Sequence, residues 1–187
     1  MKEMRRGSNV ELTKELPGLT GVVLGVMWNA GAETALDEGL VSAAMLCDAA
    51  HKVISDDHFV FFNQLSSPDL SVMQLEKALG DDNDQIEVDL GAVPSDVTHV
   101  VVVLYLNDSP GRKRTLGQLK ECRVRVLNLA DDQEIIRSED LAPGLAAETA
   151  IVLGELYRHQ HGWKFRVVGQ GYSTGIRGVA DGYGVSL

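Results

Sequence analysis

The sequence predicts a mainly β fold, a sandwich or barrel built from many short strands with few and short helices. Three observations carry this expectation. Apolar and polar residues alternate with the period of two that a half-buried strand requires. Turn-forming sequences interrupt these runs at close intervals. Segments with helical spacing are few. Alternating strand and helix patterns of the kind that build a parallel α/β sheet are absent.

The elements follow in order. Residues 19–28 are rich in Val and Leu and carry Gly21 and Gly25. Residues 41–46 are apolar with small side chains, and Phe59-Val60-Phe61-Phe62 is a short aromatic run. Residues 85–90 alternate strictly, with Ile86, Val88 and Leu90 on one face. Residues 99–106 are nearly all β-branched or aliphatic, which suits a strand covered on both faces. Residues 122–127 alternate again, and 133–136 do so more weakly. Residues 154–158 and 163–172 alternate on both sides of a short polar break, the pattern of one strand turning into its neighbour. Ser66-Ser67-Pro68-Asp69, Val93-Pro94-Ser95-Asp96, Asn107-Asp108-Ser109-Pro110-Gly111 and Ala142-Pro143-Gly144 supply turns. Helix is expected only as one turn at 75–79 and as a short C-terminal helix at 175–182, where glycines weaken the signal. No repeat or linker divides the 187 residues, so 9–187 reads as a single domain and 1–8 as a short N-terminal extension.

Composition narrows the function. The chain is 44% hydrophobic and 24% charged, with a net charge of -10 and a pI near 4.9. Such a surface repels a phosphate backbone and argues against general nucleic-acid binding. No run approaches the roughly 20 apolar residues of a membrane-spanning helix. The basic start, Met1-Lys2-Glu3-Met4-Arg5-Arg6, is not followed by the apolar core of a signal peptide, so a cytoplasmic protein is expected. Cys47 and Cys122 sit in apolar runs and read as small buried residues rather than a disulfide.

Candidate chemistry centres on acidic residues. Gly80-Asp81-Asp82-Asn83-Asp84 is the densest cluster, and closely spaced oxygen donors on a turn are what a hard cation such as Ca²⁺ takes, six to eight at a time. Asp81, Asp82 and Asp84 are therefore the candidate metal ligands, with Asp56 and Asp57 as further ones. The EF-hand spacing of Gly and Glu is not met, and on spacing alone a solvated turn before a strand explains the cluster better than a metal site. Asp131-Asp132 reads as a hairpin tip and Asp37-Glu38 as a polar loop. His159 and His161 have the spacing of a zinc pair on a strand, but lie in the polar break. His51, His58 and His99 stand alone in the sequence. No nucleophile elbow, activated thiolate or phosphate-binding glycine loop is present. Arg112-Lys113-Arg114 reads as a solvated basic loop or a docking point for an anionic partner.

Several motifs in succession resemble the TerD family, the bacterial tellurite-resistance and chemical-stress proteins. They are Asn9-Val10-Glu11-Leu12-Thr13-Lys14, Pro17-Gly18-Leu19-Thr20, Trp28-Asn29, the stretch from Ser55 through Asp56, Asp57, His58, Phe59, Val60, Phe61, Phe62 and Asn63 to Gln64, and Ser67-Pro68-Asp69. Leu116-Gly117-Gln118, Glu148-Thr149-Ala150 and the run from Gly154 to Tyr172 complete the likeness. The resemblance implies a β-sandwich of two sheets, a role in tellurite or other chemical stress, and Ca²⁺ held by carboxylates at one end of the sandwich. The departures fall on that ion site. The family's Asp-Leu-Asp-Ala-Ser corresponds to Gly39-Leu40-Val41-Ser42-Ala43, and its Gly-Asp-Asn loop to the shorter Met73-Gln74-Leu75-Glu76-Lys77-Ala78-Leu79. Asn29 stands for a carboxylate. Ca²⁺ affinity follows ligand charge and count, so weak or lost binding is expected, with Leu75, Ala78 and Leu79 covering that end. The expected function is a non-catalytic interaction module, without enzyme activity, whose partners are other proteins of a stress-response system. The alternative is a working Ca²⁺ protein using the acidic turn at 81–84.

Overall fold

The structure, a computed structural model, describes residues 2–107 and 114–187. Two six-stranded sheets face each other. The first runs, in spatial order, β1 (Lys2–Met4), β10 (Glu134–Ser138), β9 (Glu121–Asn128), β3 (Gly21–Asn29), β7 (Asp84–Asp89) and β6 (Val72–Gln74). The second runs β2 (Asn9–Glu11), β12 (Gly162–Tyr172), β11 (Ala150–His159), β8 (His99–Leu106), β4 (Leu40–Cys47) and β5 (Phe59–Val60). The strand pairs are antiparallel except β1 with β10. The helices are α1 (Leu12–Glu15), α2 (Thr34–Gly39) and α3 (Gly175–Tyr183). This is the two-sheet sandwich that the alternation and the resemblance led us to expect.

Alternation decides the interior. Val22, Leu24 and Val26 of β3, Ile86 and Val88 of β7, and Val124 and Val126 of β9 meet Val100, Val102 and Leu104 of β8 and Phe165 and Val167 of β12 in one buried core. Each fully buried apolar side chain contributes about 1.5–3 kcal/mol relative to exposure. β8 is covered on both faces, as its unbroken apolar run requires. Val101, Val103 and Tyr105 point the other way, into a second cluster with Met45, Val152 and the α3 residues Val179 and Ala180. α3 thus caps the outer face of the second sheet and ends at Gly184, whose φ of 77° is the left-handed conformation that glycine supplies at a helix C-terminus.

Four expectations need correction. Residues 1–8 do not precede the domain as an extension: Lys2, Glu3 and Met4 pair with Ile136, Arg137 and Ser138, and Met4 is buried in the core. Residues 75–79 are irregular, with a bend at 76–77 and no helical turn; Leu79 is 66% exposed and does not cover the end of the sandwich, whereas Leu75 lines the cleft there. Asp37 and Glu38 belong to α2 rather than a loop, and Asp37 Oδ1 accepts a bond from Trp28 Nε1 at 2.8 Å. α1 has no helical period in the sequence and is a single turn stabilised by burial of Leu12. The cluster Arg112-Lys113-Arg114 and the turn at 107–111 lie outside the described residues except for Asn107 and Arg114.

Candidate functional site

The acidic turn is where sequence and resemblance both point, and the structure divides it. Asp82 lies over the outer face of the first sheet. Its side chain is fully buried because three partners close on it. Arg125 Nε donates to Oδ1 at 2.6 Å and Arg125 Nη2 to Oδ2 at 3.0 Å, while Gln85 Nε2 donates to Oδ2 at 2.7 Å. Gly25 makes this possible, since a Cβ there would stand 2.4 Å from Asp82 Oδ2. Arg125 also reaches Glu134 Oε1 at 3.2 Å, and Arg137 Nη2 meets the same oxygen at 2.7 Å. Burial opposes ionisation of Glu134, but Arg137 and Arg125 outweigh it and hold its carboxyl below the usual range. Asp82 is thus the centre of a structural ion network.

Asp84, two residues on, points to the opposite face, because Asp82 still lies in the turn at 81–83 and strand alternation begins only with β7. It opens β7 opposite Val26 and faces the second sheet, where Ser42 donates to its Oδ2 from the backbone N at 3.1 Å and from Oγ at 2.8 Å. Burial pushes the Asp84 carboxyl up, with the Ser42 bonds working against that. Gln74 Nε2 donates to Ser42 Oγ at 3.2 Å, and Gln74 Oε1 is buried without a hydrogen-bond partner. Asp84 and Gln74 border a cleft of about 310 Å³ whose other walls include Val41, Phe62, Leu65, Leu75 and Glu76. This is the end of the sandwich where the resemblance places the ion, and its walls mix apolar side chains with Asp84, Gln74 and Glu76.

The remaining candidates stand apart. Asp81 is exposed, and Asn83 uses its Oδ1 to accept from Trp28 N at 2.9 Å. Asp56 and Asp57 form a 3₁₀ turn, Asp56–His58, tied to the C-terminal end by Ser186 N donating to Asp56 Oδ1 at 2.9 Å. Among the described residues, no three of Asp56, Asp57, Asp81, Asp82 and Asp84 converge within 4.8 Å. These five carboxylates thus do not converge on one point, where Ca²⁺ takes six to eight oxygens. His159 and His161 are exposed in the β11–β12 turn, where Gln160 and His161 adopt positive φ. Cys47 and Cys122 are buried free thiols, pushed up to about 12 by burial, and so inert.

One group escaped sequence reasoning. His51 and His99, isolated in the chain, converge with Glu155 within 4.8 Å. Nothing local signals this, because the three come from a loop, β8 and β11. The legible part is that His99 and Val101 alternate on one face of β8; the bulge that turns Glu155 to the same face is not.

Comparison with known proteins bears on the whole chain. The sequence model described as the TerD domain matches residues 1–183. The chain is 37% identical to general stress protein 16U of Bacillus subtilis (strain 168), covering 98% of this chain and 97% of that protein. It is 36% identical to the tellurium resistance protein TerD of Serratia marcescens, with the same coverage. A crystal structure of a homologue of telluride resistance protein (TerD) from Streptomyces coelicolor A3(2) superposes with a TM-score of 0.63 at 21% identity, over 83% of this chain and 91% of that one. This last likeness supports the sandwich fold alone.

Proposed function

The chain belongs to the TerD domain family, and from that premise we propose that it serves stress or tellurium resistance as a non-catalytic binding module whose Ca²⁺ affinity is weak or lost. The observation that carries the reading is the division of the acidic turn. Asp82 spends both carboxylate oxygens on Arg125 and Gln85 on one face of the sheet. Asp84 lies on the other, bonded by Ser42, where burial pushes its pKa up. An ion would have to displace a guanidinium to recruit Asp82, and Coulomb attraction to one remaining carboxylate does not offset that. The strongly acidic surface favours protein partners of the same stress system over nucleic acid, and we place the module in the cytoplasm.

Titration calorimetry of metal-stripped protein with Ca²⁺ tests this. Dissociation in the millimolar range, or no saturable heat, is expected; a micromolar constant overturns the reading. A second reading is favoured by one observation, the buried unpaired Gln74 Oε1 beside Asp84. An orphaned acceptor at a carboxylate is the kind of donor a hard cation satisfies. In that case Ca²⁺ raises the melting temperature, and Gln74→Leu abolishes the rise.

A further inference from the structure

We propose that His51, His99 and Glu155 form a binding site for a divalent transition-metal ion, specifically Zn²⁺. The site lies on the outer face of the second sheet, away from the acidic turn, and it is independent of the Ca²⁺ reading.

The register builds it. β11 carries a bulge between Val152 and Gly154 against both neighbours. Before the bulge, Ile151 faces the core and Val152 the outer cluster. A strict period of two would then send Glu155 inward with Ile151 and Leu153. The extra residue resets the count, so that Leu156 faces the core and Glu155 pairs with Val101 on the outer side. Glu155 therefore sits diagonally from His99, which pairs with Tyr157. The third ligand arrives from the loop after β4. Asp48 Oδ1 accepts from Ala50 N at 2.9 Å and Lys52 N at 3.1 Å, and the Asp48 carbonyl accepts from His51 N at 3.0 Å. This tight loop holds His51 at a φ of 59° and aims its ring back over the sheet.

The geometry suits the ion. His51 Nε2 and Glu155 Oε2 are 3.4 Å apart, and a tetrahedral zinc with bonds of about 2.0–2.2 Å spans an edge of about 3.4 Å between ligands. The His51 and His99 ring centroids are 3.9 Å apart, so two imidazolium charges there would repel. A metal takes both rings as neutral imidazoles. The supporting contacts are those a ligand set takes. Thr98 Oγ1 lies 2.8 Å from His99 Nδ1, Tyr157 stacks on the His99 ring, and Arg166 Nη2 donates to Glu155 Oε1, leaving Oε2 for the ion. The guanidinium opposes a cation, but it is 44% exposed and binds the oxygen turned away from His51. Two imidazoles and one carboxylate are poor donors for Ca²⁺ and good ones for zinc. With His51 43% exposed, the fourth position opens to water.

The test is calorimetric titration of the metal-stripped full chain with Zn²⁺ at neutral pH, with visible absorption of Co²⁺ as a second probe. We expect one ion per chain, not displaced by millimolar Ca²⁺, and a four-coordinate cobalt spectrum. His51→Ala, in a half-exposed loop, should retain the metal-free melting curve and weaken binding by more than about tenfold; His99→Gln should do the same. His159→Ala with His161→Ala should leave binding unchanged. The proposal is overturned by an absence of saturable zinc binding, by binding that survives His51→Ala, or by binding that disappears with the hairpin pair instead.

Discussion

Asp82 changes its meaning between sequence and structure. In the chain it is one of three aspartates on a turn, the composition of a cation ligand. In the fold it is a fully buried anion held by Arg125, a residue 43 positions away. No local pattern could reveal that pairing, because it depends on β9 lying beside β3. An ion pair so deep contributes little net stability over an apolar replacement, but removal of one member leaves an uncompensated charge. Asp82→Ala should therefore lower unfolding free energy by roughly 3 kcal/mol, measured by urea denaturation. A loss under about 1 kcal/mol would mean that the pair behaves as an exposed surface bridge.

At the level of the element, alternation was legible almost everywhere. β8 matched its apolar run residue for residue, and β3, β4, β7, β9 and β12 fell within one or two positions of the sequence reading, whereas β11 begins at Ala150, four residues before the expected run. The bulge in β11 was not legible, because a single extra residue leaves no compositional mark. Its physical requirement is visible once the strands are in place. Leu153 and Gly154 both turn toward the core, and there is room for one side chain only: a Cβ on Gly154 would meet Phe165 Cζ at 2.6 Å and the Arg166 carbonyl at 2.8 Å. Gly154→Ala should cost about 1–3 kcal/mol through overpacking, read as a fall in the urea midpoint. An unchanged midpoint would show that the hairpin shifts freely to admit the methyl group. The short helices were missed for a different reason. α1 and α2 are four and six residues long, too short for a period to register, and tertiary contacts such as Trp28 with Asp37 hold them.

Across the whole molecule, the two-sheet plan followed from strand number and turn spacing together with the family motifs, whereas the closing of its edges did not. The first eight residues looked dispensable because their charged start carries no strand signal. Yet β1 supplies the edge of the first sheet. Arg6 then crosses to the second, donating from Nε to the Gly169 carbonyl at 3.1 Å, from Nη2 to the Leu141 carbonyl at 2.9 Å and from its backbone N to Glu139 Oε2 at 2.7 Å. Deleting residues 1–8 should lower the melting temperature and, by baring the β10 edge, promote self-association. Differential scanning calorimetry and size-exclusion chromatography would check both; an unchanged profile would make the segment an appendage after all.

The parallel seat of β1 also bears on how the molecule is made. The bond from Arg6 to Glu139 spans 133 residues, so β1 has nothing to dock against until β10, far later in the chain, has been synthesised. Contacts of such long range carry a large loop-closure cost and slow the final step. β1 is thus seated only after β10 exists, and until then one margin of the first sheet stands unguarded.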